Sequence, residues 1–339
     1  MKKKFRYLGL FVLLVVAVAM FLLFAPVTDF SSRTKYIYVI PGANAKEQIL
    51  RQLDTAGVIN RKALFTFLAN KMEIWKSITP GRFEIKRGEN LLSIVRLFQK
   101  NRQAPVVLNI GRVRTKQGIA RLIGKSFPTD SAAVMSLLTD SVYLQKFGVD
   151  TNTLLSIIIP KTYEFNWNST LDSVLQSLKA NADSFWAAGG REQKAADLGF
   201  SPLQVDILAS IVEEETSKDD EKGTIASVYI NRLHHNMALA ADPTIKYALR
   251  DFSLKRILYG HLAINSPYNT YRNKGLPPGP ICTPTTRTID AVLNAPATDY
   301  LFFVSKGDGS GYHHFSATFA EHDQYAKQYH EKLDSLNIK

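Results

Sequence analysis

Apolar and polar positions along the chain change period several times, and the changes mark out its organisation. No charge interrupts the apolar run from Tyr7 to Val27, and Lys2, Lys3, Lys4 and Arg6 precede it. About 20 apolar residues are enough to cross a bilayer as a helix. A secretory leader has a shorter apolar core that ends at small residues, and Phe24-Ala25-Pro26-Val27 makes a poor cleavage site. The pattern predicts a basic cytoplasmic tail over 1–6, an uncleaved anchor over 7–27 and a polar linker over 28–35. The predicted location is the inner (cytoplasmic) membrane, single-pass, with the N-terminus in the cytoplasm and the rest periplasmic.

Beyond the linker the period shortens to two. YIYVI (36–40) alternates aromatic and β-branched residues and reads as a strand ended by Pro41-Gly42. Helical spacing follows over 45–54 and 61–72, then a strand over 82–86, a helix over 90–99 and a strand over 105–110. This order predicts a small α/β module over 36–112. The remainder, 113–339, is first mainly helical, with amphipathic helices at Pro202–Thr216 and Lys222–His235 and an irregular aromatic stretch at 159–170. After Asp242 loops dominate, two strands flank a turn at 306–311, and a helix closes the sequence. Helices followed by strands give an α+β fold class.

Charge narrows the partners. The net charge is +12, and four of those charges belong to the basic tail. A basic domain outside the membrane suits anionic lipid or an anionic wall polymer, and is not placed to meet nucleic acid. The single cysteine, Cys282, excludes an internal disulfide and a thiolate zinc site. His313, His314 and His322 lack the spacing of a zinc helix, so neither metal nor cofactor is expected.

One carboxylate stands out. On a helical wheel of PLQVDILASIVEEET, Glu215 falls in the middle of the apolar stripe, Glu214 at its edge and Glu213 almost opposite. Glu213 and Glu214 can therefore be solvated, while Glu215 is aimed inward. A carboxyl that loses water has a raised pKa and can serve as a general acid, the property needed to protonate a glycosidic oxygen. An internal salt bridge would cancel that role. Arg232 lies on the inner face of the next helix with Val228 and Tyr229, and its partner is Glu215, Asp242 or, as we favour, another acceptor.

Several motifs recur in order: ASIVEEET (209–216), IASVYINRL (225–233), DPTIKY (242–247), YNTY (268–271), GLPPGPI (275–281) and a His-x-Phe strand followed by Glu321-His322. Together they resemble the YceG-like endolytic murein transglycosylases, the MltG family, over nearly the whole chain. The resemblance implies an anchored lytic transglycosylase that cleaves the MurNAc–GlcNAc bond of nascent peptidoglycan, leaves 1,6-anhydroMurNAc ends and terminates strand elongation. It also implies a LysM-like glycan-binding module over 36–112, a catalytic domain over 113–339, and peptidoglycan synthases as partners. The catalytic glutamate it implies is the one before the threonine, Glu215.

Other residues are placed at the substrate with less force. Asn231 bonds either a loop or the glycan. Asp242, before Pro243, reads as a helix cap or a holder of its motif, or else as a base for water, and Thr244 lies in the same motif. Tyr268, Asn269 and Tyr271 suit stacking on sugars and holding acetamido groups, or else cover the core. His314 orients a loop or touches the glycan. Two alternatives stay open: a hydrolase of the same bond using Asp242, and a non-catalytic glycan-binding scaffold.

Overall fold

The computed structural model describes residues 2–42 and 44–335. The helix α1 (Lys2–Phe24) is long and apolar enough to cross a membrane, and its large apolar side chains from Phe5 to Phe24 are exposed. The chain then divides into two compact units, one of residues 1–107 with 126–128 and 164–170, the other of 108–125, 129–163 and 171–339. The fold is mixed α+β, with two-stranded sheets among the described residues.

In the first unit β1 (Thr34–Val39) pairs antiparallel with β2 (Gly81–Lys86), Ile37 opposite Phe83. Ile37, Val39, Phe83 and Ile85 point into the core, as the alternation in YIYV and RFEIK requires. Around them pack α2 (Ala45–Thr55), α3 (Lys62–Lys71) and α4 (Leu91–Gln99) through Ile49, Leu53, Phe65, Leu91, Ile94 and Phe98. The open edge of β1 is satisfied by amides instead of a strand. Gln52 accepts the Tyr38 N–H and donates to the Tyr38 carbonyl, and Gln48 does the same for Ile40. A paired edge cannot recruit another strand.

The strand β3 (Val106–Ile110) pairs with β4 (Lys161–Phe165). The latter falls in the segment expected to be irregular. Its buried Tyr163 and Phe165 alternate with exposed Thr162 and Glu164, a two-residue period too short to register beside the aromatic loop that follows.

The second unit contains α5 (Lys116–Ser126), α6 (Ser131–Leu138), α7 (Ser141–Gln145), α8 (Leu171–Ala187) and α9 (Arg191–Asp197). They precede α10 (Pro202–Glu215), α11 (Lys222–His234), α12 (Asp242–Leu249) and α13 (Thr286–Leu293), and the hairpin β5 (Phe302–Ser305)–β6 (His313–Ser316) leads into α14 (Phe319–Ser335). The helix α13 lies in a stretch the hydropathy pattern left as loop. Thr285 caps it by accepting the Thr288 N–H, and Ile289, Val292 and Leu293 give it a buried face.

At the centre lies α10, started by a Ser201–Gln204 capping box with Pro202 at its first turn. It packs against α11, α12 and α13, so every residue from Val205 to Glu213 is buried. A helix enclosed this way has no wet face. The expectation that Glu213 and Glu214 are solvated therefore fails, and each must find an internal partner.

Candidate active site

The last turn of α10 carries three carboxylates where the helix dipole disfavours negative charge. Glu213 is buried, and its Oε2 accepts from the Thr285 N–H and Oγ1 (3.3 and 3.0 Å), from Thr288 Oγ1 and from Lys222 Nζ (3.4 Å). Glu214 receives a bidentate grip from Arg114, with Nε and Nη2 both at 2.8 Å, and Arg112 Nε stands 3.5 Å away. That grip pushes the Arg114 pKa up.

Among the described residues no such cation bonds Glu215. Its Oε1 accepts a short hydrogen bond from the Tyr229 hydroxyl on α11. Burial pushes its pKa up from the ordinary carboxylate value to about 7; the Tyr229 bond pulls it back in part, Asp242 adds to the rise, and Lys246 and Arg232 oppose it weakly. A carboxyl with this value exists in both protonation states at neutral pH, which general acid and base work requires. The Tyr229 hydroxyl, also raised by burial, stays a donor.

Glu215 borders two cavities. Glu215 lines a cavity of about 920 Å³ with Arg112, Arg114, Lys246, Tyr247 and Thr285. It also lines a smaller one of about 270 Å³ with Tyr229, Arg232, Asp242, Tyr271 and His313. Arg232 points its guanidinium at backbone carbonyls, Nε to Leu301 (2.6 Å) and Nη1 to Leu239 (2.7 Å), and lies over the Phe302 ring. It does not clamp Glu215.

The other expected site residues separate into two groups. Tyr271 and Asp242 reach the smaller cavity, joined by a bond from the tyrosine hydroxyl to Asp242 Oδ1. Asp242 is exposed at the first position of α12 and makes no side-chain cap, which corrects the capping expectation: its acceptor is committed to Tyr271, 29 residues on. The remainder have internal partners. Thr244 is buried, donating to the Ala241 carbonyl and bonding Thr270 Oγ1. Asn269, fully buried, donates to the Leu262 and Ile264 carbonyls and accepts the Tyr271 N–H, so it shapes the loop that presents Tyr271. Tyr268 packs on Tyr247 with its hydroxyl 3.4 Å from Asn152 Oδ1. Asn231 ties α11 to the carbonyls of Thr298 and Tyr300, and His314 stacks on Tyr325. Tyr229, Arg114 and Lys246 were not singled out. Tyr229 reads as core from its apolar neighbours, and Arg114 comes from 100 residues before its partner.

The YceG-like family model matches residues 37–328. A relative from Bacillus subtilis (strain 168), named endolytic murein transglycosylase, is 29% identical over 316 residues, covering 88% of this chain and 86% of its own. Proteins of the same name from Streptococcus pneumoniae strains D39 and R6 are 26% identical over 302 residues, which is 80% of this chain and 54% of theirs. This chain thus spans about half the length of the pneumococcal relatives. The crystal structure of a yceG-like protein from Listeria monocytogenes superposes with a TM-score of 0.57 at 27% identity, covering 86% of this chain and 99% of that one.

Proposed function

We propose, since this chain belongs to the YceG-like family, that it is a membrane-anchored endolytic lytic transglycosylase of peptidoglycan with Glu215 as its acid and base. The observation that carries the reading is a single carboxyl with a pKa of about 7, bonded by a hydroxyl and bordered by two cavities. Protonated Glu215 donates to the oxygen that links N-acetylmuramic acid to N-acetylglucosamine. The 2-acetamido carbonyl of the muramoyl sugar stabilises the positive charge at C1. Glu215, now a carboxylate, takes the proton from the 6-hydroxyl of the same sugar, and that oxygen closes on C1. The products are a free 4-hydroxyl and a 1,6-anhydro end, and no water is consumed.

The Tyr229 bond occupies Oε1 and leaves Oε2 for the transferred proton. Two cavities that meet at Glu215 leave room for sugars on both sides of the broken bond, as endo cleavage needs. Tyr271 and Asp242 border the glycan, while Asn231, Thr244, Tyr268, Asn269 and His314 hold the walls. Hydrolysis would need a second carboxylate free to activate water. Asp242 borders the right cavity, but one of its oxygens is held by Tyr271.

In the same reading α1 is a single-pass anchor in the inner membrane, with the basic tail cytoplasmic and the catalytic domain, 113–339, periplasmic. The 36–112 module is LysM-like and grips glycan. Tyr38 and Trp167, with ring centres 4.8 Å apart beside a cavity of about 640 Å³, support that role. Strand cleavage would end elongation in company with peptidoglycan synthases. Digestion of purified sacculi by wild type and Glu215→Gln tests the proposal. Anhydro ends from wild type alone support it; reducing ends would favour the hydrolase, and equal cleavage by the variant would leave Glu215 without a role.

A further inference from the structure

The smaller cavity beside Glu215 is bordered by a ring that the mechanism leaves unused. His313 opens β6 on the cavity wall shared with Glu215, Tyr229 and Tyr329. One carboxylate grips it twice. Glu221 Oε1 accepts the His313 backbone N–H at 2.9 Å, and Glu221 Oε2 meets ring Nδ1 at 2.9 Å. Both side chains are nearly enclosed, with 13% and 10% of their surface exposed. An edge-on contact with Phe303, ring centres 5.4 Å apart, fixes the ring plane.

With Nδ1 donating to the carboxylate, the neutral tautomer of the ring presents Nε2 as an acceptor. Among the described residues nothing bonds Nε2, and His313 borders the smaller cavity. Its neighbours in the wall are committed elsewhere: the Tyr229 hydroxyl to Glu215, the Tyr271 hydroxyl to Asp242, and Arg232 to two carbonyls. Glu221 also immediately precedes α11, and Tyr229 lies two turns along the same helix. One rigid element thus sets both the acid and the ring.

We infer that His313 contacts the substrate, accepting through Nε2 a hydrogen bond from a glycan hydroxyl or acetamido N–H on the β6 side of Glu215, and that Glu221 is its positioning residue. The inference rests on the glycan-cleaving reading of Glu215. A fixed acceptor in this wall selects the face and register of a polysaccharide rich in donors. The helical carboxylates drew attention in the sequence, and this dyad did not, because its members are 92 residues apart.

The test uses the full-length protein in detergent and defined glycan strands, with kcat, KM and melting temperature read for each variant. His313→Asn keeps a polar atom where Nδ1 meets Glu221 and removes Nε2, whereas His313→Gln reaches the Nε2 position. The expected result is a rise of about five- to tenfold in KM for His313→Asn, the size of one lost hydrogen bond, with kcat little changed and most of the loss recovered by His313→Gln. Kinetic constants of wild type in a folded His313→Asn overturn the inference, as does equal damage by Asn and Gln tracking a fall in melting temperature. Should His313→Asn not fold, glycan affinity is read for the isosteric Glu221→Gln against wild type, where an unchanged Kd overturns it. Glu215→Gln runs alongside. If it cleaves normally the reading of the whole site falls; if it is inactive while His313→Asn behaves as wild type, only the His313 inference falls.

Discussion

On one side of the last turn of α10, Glu213 and Glu214 face Lys222, Arg114 and Arg112; on the other, Glu215 faces the hydroxyl of Tyr229 and, across the smaller cavity, Asp242 and Tyr271. Three identical side chains share one helix end, one dipole and almost the same depth. What differs is the partner. A guanidinium or ammonium supplies the opposite charge that burial demands. A hydroxyl supplies a hydrogen bond without a charge, so desolvation prevails and the carboxyl keeps its proton up to about pH 7. One wall stabilises the helix end, and the other holds a carboxyl whose pKa is raised, as the proposed acid requires.

The largest effect should come from removing the acid. Glu215→Gln is expected to lower glycan cleavage by about 10²–10⁴-fold, the usual share of general acid–base catalysis. Its stability should depend on pH in a fixed direction. A carboxyl whose folded pKa lies above its unfolded value favours the fold fully below the unfolded value, and that contribution is lost as pH rises through about 7. Melting temperatures of wild type and variant should therefore be close below about pH 4, with the variant the more stable at pH 8. Tyr229→Phe comes next. It removes the bond that favours the carboxylate, so the alkaline limb of kcat/KM should move to higher pH by about 1–2 pH units, the size of one hydrogen bond to a charged group.

The ion-paired wall should respond in stability and scarcely in chemistry. Arg114→Ala leaves a largely enclosed Glu214 without its fork and is expected to cost about 1–3 kcal/mol in denaturant unfolding. Its pH–rate profile should keep the wild-type midpoint; a shifted midpoint would mean that the two walls are not separate. The smallest effect is expected from Asn231→Ala, which cuts two bonds to the 298–300 loop at about 1 kcal/mol. KM within twofold of wild type would separate its wall-holding role from glycan contact.

The same comparison explains what could be read from the chain alone. Glu215 was legible because a charge in an apolar stripe is a local anomaly. Strands in the first unit were legible because Ile37, Val39, Phe83 and Ile85 alternate with solvated neighbours. The fates of Glu213 and Glu214 were not, because the wheel assumes one wet face and α10 has none. Their partners arrive from Arg114 and Thr285, 100 and 72 residues away, and nothing within the helix encodes them. Asn269 and Thr244 looked like ligand donors because amides and hydroxyls serve backbone and sugar equally well. Only the fold shows that carbonyls and neighbouring hydroxyls had already engaged them. His313 lacks the spacing of a zinc-helix ligand, and its partner Glu221, 92 residues away, leaves no mark on the local pattern.

Carboxyl carbon-13 NMR of the full-length protein, with the Glu215 signal assigned by its loss in Glu215→Gln, reads the protonation of this one group directly as pH is raised. The account predicts a midpoint near pH 7, moving upward in Tyr229→Phe. A midpoint at the ordinary glutamate value of about 4.3 would mean that Glu215 enters the reaction already ionised, and would contradict it.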